Sequence, residues 1–515
     1  MFSNSAFSSR RGLLTGTTTA VALVAAMPAL AGVTAEDVWQ NLRAPILAMG
    51  GQIEAETTRK DNRLEVGENV ISFQLPMGMG DVTMTATGFT LAENGDGTVS
   101  ILYPGSMAFS MSATGPEGLL GAGLVTMDST SYTGMASGDP GDVSYEYGLD
   151  GAQMQLTELT IPEAPELVFE MTGTMTGANG TYRITEGDIV KIALEGTGGD
   201  ATFDTTMTDE TGVSSKGSQT TSGGTTSITM AIPNGKVDIM NLSQGLRDGL
   251  EISVTAKDTR LDTTSETSID GEALIVQNYG YMMDNVDYVI DASGVVAEGT
   301  TSDVWFDFLM GPVFPVPIKG AADQMTGRIA MPLNKTDGPV DADFIMTMDG
   351  FTMDDGLWGM FDPAAQLPRD PARLSLDMTA SVESFVDILD IEALMALETS
   401  DEAPAMLHAL TLKDLALEMV GASLSGQGAF TFDNTDYDTF AGLPAPDGAV
   451  DLELSGANGL LDTLVAMGLL PEEQAMGARM MMGLFAVPGV GDDVLTSKIE
   501  VKPDGQILAN GQRLQ

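Results

Sequence analysis

Cysteine is absent from this chain of 515 residues. No disulfide can brace the fold, and thiol catalysis, cysteine-ligated zinc and iron–sulfur clusters are excluded. Histidine occurs once, at His408, so a Ser-His-Asp triad or a multi-histidine metal site has almost no material. His408 stands in Ala405-Met406-Leu407-His408-Ala409-Leu410, and those apolar neighbours favour a packed or half-exposed imidazole over a catalytic base. Basic residues are scarce, 23 against 73 acidic ones, for a formal charge of −50. A field of that sign repels nucleic acid and anionic headgroups, so no nucleic-acid partner is expected. Long apolar runs are missing too. The nearest approach, Leu13 to Ala26, is diluted by threonines and falls short of the roughly 20 apolar residues that span a bilayer. No transmembrane segment is expected beyond it.

The first 31 residues carry the marks of an export signal. Arg10-Arg11 precede the apolar stretch, and Ala29 and Ala31 supply the small residues of a cleavage site. Cleavage is expected after Ala31, and a periplasmic location follows. Ser9-Arg10-Arg11-Gly12-Leu13-Leu14 points to the twin-arginine route, with the general secretory route as the alternative.

Beyond the signal the chain is 43% hydrophobic and rich in Met (34) and Gly (60), so it has the material for packed cores. Thr34 and Asp37 form a capping box before a helix faced by Val38, Leu42, Ile46 and Met49, with Pro45 kinking or shortening it and Gly50-Gly51 ending it. A long period-two region follows: Val82, Met84, Ala86; Phe89, Leu91; Val99, Ile101, Tyr103; Met107, Phe109, Met111; Val143, Tyr145, Tyr147; Met154, Leu156. Asn94-Gly95-Asp96-Gly97 marks a hairpin turn. Thr211 to Ser227 reads as an exposed loop or frayed hairpin. Further on, Val382, Phe385, Val386, Leu389, Ala393, Ala396 and Leu397 fit a helix face, and Pro404 opens a short helix carrying His408. Leu410–Met419, Phe430–Phe432 and Lys498–Lys502 read as strands. Helices are expected at Leu460–Val465 and from Pro471, the latter faced by Met476, Met480 and Leu484 packed on strands near Leu452–Leu454 and Ile499–Val501.

The fold class expected is α+β, predominantly antiparallel β, with large curved amphipathic sheets and a few covering helices. Asp37-Val38-Trp39 recurs as Asp303-Val304-Trp305, and Met84–Leu91 is echoed by Met346–Met353. These echoes raise two related halves, 32–300 (β-rich, with the leading helix) and 301–515 (α+β), with chance matches in Met/Thr/Gly-rich sequence as the alternative.

No catalytic, cofactor-binding or metal-binding residues emerge. Asp433-Asn434-Thr435-Asp436-Tyr437-Asp438 lacks the spacing, glycine and closing glutamate of an EF-hand loop, and no carboxylate pair stands out among so many. No cofactor is expected.

Gly32–Asn41, Leu452–Gly456, Leu469–Met476 and Asn510–Leu514 together resemble an uncharacterised-domain (DUF) family of exported alphaproteobacterial proteins, over the whole mature chain. The C-terminal pattern is also similar to AsmA-like and YdgA-like envelope proteins, in which amphipathic strands form a long curved sheet with an apolar inner face. That similarity implies a role in lipid or outer-membrane homeostasis. The residues themselves lead to a non-enzymatic periplasmic envelope protein whose apolar sheet face takes a lipid or a hydrophobic partner. A structural envelope scaffold is the alternative, and an envelope hydrolase using carboxylates a weaker one. Oligomeric state stays open.

Overall fold

The computed structural model describes residues 32–75, 78–311, 314–397 and 403–514. The export reading over Met1–Ala31 lies outside them. The first helix, α1 (Ala35–Ala48), begins at the capping box: the Asp37 N–H donates to the Thr34 hydroxyl, and the Thr34 N–H donates to the Asp37 carboxylate. Two donors that a helix start leaves open are thereby satisfied. α1 runs through Pro45 and ends where Gly50 takes φ +80°, a left-handed conformation that glycine adopts without steric cost.

From Gln52 onward the strands form one antiparallel sheet of 28 strands. Short strands come first: β1 (Gln52–Glu54), β2 (Thr57–Lys60), β3 (Arg63–Val66), β4 (Asn69–Leu75), β5 (Gly80–Ala86), β6 (Phe89–Glu93), β7 (Val99–Leu102) and β8 (Ser106–Gly115). β6 and β7 form the hairpin expected at Asn94–Gly97. Then come the long β9 (Gly118–Asp139), β10 (Asp142–Thr160) and β11 (Val168–Thr185), and the shorter β12 (Ile189–Thr197), β13 (Ala201–Thr208), β14 (Val213–Ser222) and β15 (Thr225–Pro233). After α2 (Leu242–Arg247) the chain runs back and forth through β16 (Glu251–Ile269), β17 (Glu272–Asp291), β18 (Gly294–Met310), β19 (Phe314–Met331) and β20 (Val340–Met353). α3 (Asp355–Phe361), β21 (Ala372–Ser384), α4 (Ile391–Leu397), β22 (Ala405–Met419), β23 (Ala422–Asp433) and β24 (Ala445–Ser455) follow. The chain closes with α5 (Ala457–Ala466), α6 (Glu472–Phe485), β25 (Val487–Pro488), β26 (Val494–Val501), β27 (Ile507–Ala509) and β28 (Gln512–Arg513).

Short strands lie end to end where long ones need partners. β12 and β13 share β11, and β14 and β15 share β16. Each strand from β16 to β24 then pairs with the next. Among the described residues no ladder joins the β1 and β2 edge to β28, so the sheet is open. Roughly twenty rows at about 4.8 Å make it on the order of 100 Å long.

A line of irregularities crosses the rows. In β11 the inward residues are odd-numbered up to Met175 and even-numbered from Ala178, with Gly177 (φ +58°) between them. The β9–β10 ladder slips at Leu149/Gly151, the β17–β18 ladder beside Asp303 (φ +49°), and the β20–β21 ladder beside Gly350 (φ +71°). Each extra residue resets the two-residue alternation, so apolar side chains stay on one side of the sheet along the whole strand.

The ladders carry that apolar side from row to row: Ile252 faces Ile290, Ile329 faces Phe344, Met346 faces Leu376, Leu376 faces Leu415, and Val450 faces Ile499. The opposite side is polar. Glu298, Arg328, Asp343, Lys413 and Asp377 form a chain of ion pairs across five strands, Arg328–Asp343 at 4.0 Å and Lys413–Asp377 at 3.7 Å. Such exposed pairs add little stability individually.

Covering elements are few. α1 packs Val38, Trp39 and Ala48 against Leu91, Ile101, Tyr145 and Ile232, forming the main core. A second, small core joins Leu246 and Leu250 to Leu333, against Ile290 and Val295. Elsewhere the apolar side is only half-buried, its residues shielding one another. The whole chain exposes 29983 Å², whereas a compact monomer of 53.8 kDa exposes about 18,000 Å².

Several expectations are corrected. Thr211–Ser227 is mostly strand, in β14 and β15, each paired on both sides. Val382 lies within β21, which runs to Ser384, and a helix starts only at Ile391. Pro404 opens no helix: His408 lies within β22. Asp37-Val38-Trp39 is helical, while Asp303-Val304-Trp305 lies in a strand; Met84–Leu91 is divided between β5 and β6, while Met346–Met353 lies in the single strand β20, with a ladder slip beside Gly350. The boundary between residues 300 and 301 falls inside β18, whose ladders with β17 and β19 run through it.

Candidate functional site

The most developed hollow lies on the apolar side beside α1, a trough of about 800 Å³. Cross-strand pairing builds its floor in two stripes perpendicular to the strands. In one, Ile71 faces Met84, Met84 faces Met111, Met111 faces Gly123, and Gly123 faces Leu159. In the other, Ala86 faces Phe109, Phe109 faces Val125, and Val125 faces Leu156. Gly121 and Gly123 bring no side chain, which keeps the floor low between larger neighbours. Ile161 and Phe169 close one end. Thr85 and Ser110 are the polar residues among the lining, and no charged residue takes part among the described residues. Met111 is 59% exposed and Phe109 43%, so large apolar surface faces outward here.

The neighbouring covered zone differs in chemistry. Under α1, Trp39, Phe89, Tyr103 and Tyr132 form a chain of ring contacts, and Tyr145 stacks on Tyr182 at 4.3 Å. The Tyr145 hydroxyl donates to the Asn41 side-chain carbonyl at 2.8 Å, and Asn41 donates to the Ile184 carbonyl and to Glu186. Burial pushes the phenols of Tyr103, Tyr145 and Tyr182 up, and that of Tyr132 up to about 12. All the polar atoms of the Asn41 amide are thus partnered in fixing α1 to β10 and β11.

α6 departs from the packing expected of it. Its buried residue is Ala475, while Met476 is 64% and Met480 72% exposed, with Leu484 also exposed. Arg479 instead ties α6 to α5 through Asp462 and Asn458. Met480→Asp is therefore expected to change thermal stability by no more than about 0.5 kcal/mol. A loss of several kcal/mol in a melting experiment would show that this face is covered.

The other residues weighed in the sequence have structural roles. His408 Nε2 lies 3.0 Å from Glu383 in the adjacent strand, both partly exposed. Asp433 and Asp436 accept hydrogen bonds from Thr435 and Thr439 in local turns, which hold both carboxyls below the usual range. Ser455 bonds to Ser423 across the ladder. No group of three or more His, Asp or Glu side chains able to hold a metal occurs among the described residues. The trough itself was half visible in the sequence: alternation marks each strand's apolar side, but only pairing across strands far apart in the chain brings Ile71, Met111 and Phe169 together.

No helix among the described residues is long and apolar enough to cross a membrane. No curated protein matches the chain. The ferric citrate transporter FecA in its unliganded form aligns at 8% identity over 90% of this chain and 76% of that one, with a TM-score of 0.15, which carries no argument about fold. The family model of uncharacterized proteins conserved in bacteria (DUF2125) matches residues 250–509, from the start of β16 to the end of β27. That span contains Leu452–Gly456 and Leu469–Met476, while Gly32–Asn41 and Asn510–Leu514 fall outside it, so the family match is narrower than the whole-chain resemblance. With half of its length matched, the chain belongs to the DUF2125 family.

Proposed function

We propose that this is a non-enzymatic protein of the bacterial cell envelope that holds lipid hydrocarbon on the apolar side of its sheet. The observation that carries this reading is the uncovered apolar side, deepest in the trough between Ile71 and Phe169. A one-sided sheet needs an apolar partner for its inner face, and contiguous apolar surface of this extent marks a binding surface. The trough offers hydrocarbon contact and almost no polar anchoring, which suits an acyl chain better than a compact polar metabolite. The Arg10-Arg11 signal supports export to the periplasm, by the twin-arginine route, with cleavage after Ala31.

Native mass spectrometry and solvent extraction of the protein purified from its own envelope fraction test this reading. Co-purifying lipid is expected, and Gly123→Phe is expected to reduce it at least fivefold. An added Cβ at Gly123 meets its nearest neighbour, Leu156, at 3.8 Å, so the side chain enters the trough without straining the sheet. Lipid-free protein that retains its fold would overturn the reading and leave a structural scaffold in its place.

A further inference from the structure

Both stripes of the trough floor run on past β5 to the edge of the sheet made by β1 and β4. The first continues from Met84 through Ile71 to Ile53, and the second from Ala86 to Asn69. Asn69 therefore stands on the trough side of the sheet, next to Ile71 along its own strand and opposite Ala86, whose methyl group is too short to wall it off. It is the one polar side chain in either stripe. Thr85 faces Val70 and Ser110 in the alternate row, which places their side chains on the reverse side. Only 5% of Asn69 is exposed, and its side-chain oxygen is buried with no hydrogen-bond partner among the described residues. A buried oxygen left unpaired lowers stability, and binding sites are where folds carry such a cost. The same edge holds Arg43 of α1, which donates to the Ile53 carbonyl at 3.2 Å and whose Nε–H is likewise buried without a partner among the described residues. The far end of the trough is closed by the apolar side chains of Ile161 and Phe169. One end is thus polar and short of partners, and the other is not.

We infer, on the reading that the trough holds hydrocarbon, that Asn69 anchors the head of what is held: an amphiphile whose head carries a hydroxyl or N–H donor, seated at the β1 and β4 edge. The donor gives its hydrogen to the Asn69 side-chain oxygen. A turn about the Asn69 side-chain torsions, over the small Ala86, presents that oxygen to the trough. The tail runs across β5, β8 and β9 to β10. From Asn69 to Leu156 this path takes four inter-strand steps, about 19 Å, which suits a long alkyl chain lying across the strands.

The test uses the full-length purified protein, stripped of lipid, with the uncharged dye Nile red as reporter. Tetradecanol and its methyl ether, which share one tail, are titrated as competitors; the ether oxygen accepts a hydrogen bond but has none to donate. The ratio of the two affinities, alcohol over ether, is expected to fall about tenfold in Asn69→Leu, the worth of one buried hydrogen bond. Comparing this ratio between the two proteins cancels the difference in hydrophobicity of the competitors. A second measurement needs no variant. Tetradecanol carrying a photoreactive diazirine beside the hydroxyl is expected to label the wild-type protein around Ile71 and Ala86, and the isomer with the diazirine near the end of the tail to label it around Val125 and Leu156. An unchanged ratio in Asn69→Leu would overturn the anchor while leaving hydrocarbon binding intact. Labelling in the reverse order, or the same peptides from both isomers, would overturn the placement of the head. Failure of both competitors to displace the dye, with no labelling of these strands, would remove the hydrocarbon reading and the anchor with it.

Discussion

Val38→Asp is expected to destabilise the N-terminal end of the sheet by about 3–5 kcal/mol. Val38 is fully buried in the first turn of α1, within the main core. Deleting an apolar side chain there forfeits transfer and cavity energy. Placing a carboxylate among Leu91, Ile101 and Tyr145 adds the cost of an unpaired buried charge, and the net charge of −50 gives it no compensating field. The effect should be uneven along the molecule. α1 covers β6, β7, β10 to β12 and β15 but does not reach the rows beyond β16. Urea denaturation followed by Trp39 fluorescence, in a background where Trp305 and Trp358 are replaced by phenylalanine, should shift strongly, while Trp358 in α3, read in a second background where Trp39 and Trp305 are replaced by phenylalanine, should shift less. Equal shifts at both probes would show that the sheet melts as one unit, and no shift at either would mean that α1 is not docked.

Alkali is expected to attack the same region. Tyrosines in an unfolded chain ionise near pH 10, whereas burial raises the phenols of Tyr103, Tyr132, Tyr145 and Tyr182 in the fold. Below pH 10 both states keep these protons and the shifts have no effect on stability. Above pH 10 the unfolded chain releases protons that the folded chain retains, so stability falls as pH rises through the interval from 10 to 12. Absorbance at 295 nm should show part of the nine tyrosines ionising near pH 10, and the rest only together with loss of circular dichroism. Titration of all nine in one wave, with the fold intact at pH 12, would contradict the burial of this cluster.

How much of this was legible in sequence depended on what each local pattern reports. The capping residues Thr34 and Asp37 act within four positions, so α1 could be read directly. Asn94–Gly97 and the alternating runs around Val82, Phe109 and Tyr145 were equally local. Reading failed where bulges disturb the alternation. In β22 the ladder slips near Leu407 and again between Leu412 and Leu415, which leaves apolar residues at three-residue spacings that mimic a helix. Thr211–Ser227 failed for another reason. Its serines and threonines show no apolar side, and its strands exist because β12, β13 and β16 offer unpaired edges on either hand. The methionines of α6 show the third limit: periodicity reveals that a helix has an apolar face, not what lies against it.

The back-and-forth order of the strands from β16 to β24 has a consequence for how such a molecule can change length. Each strand there pairs only with its neighbours on either edge, and the small core around Leu246, Leu333 and Leu389, with the Arg247–Asp387 ion pair, ties only the connections at one end of the rows. Removing or adding a hairpin, two strands at once, restores antiparallel direction and the same apolar side to everything downstream. A single strand cannot be lost in this way without reversing the direction of all that follow. The sheet is therefore modular in units of two, and relatives are expected to differ by whole hairpins, their spans longer or shorter while the apolar surface stays unbroken.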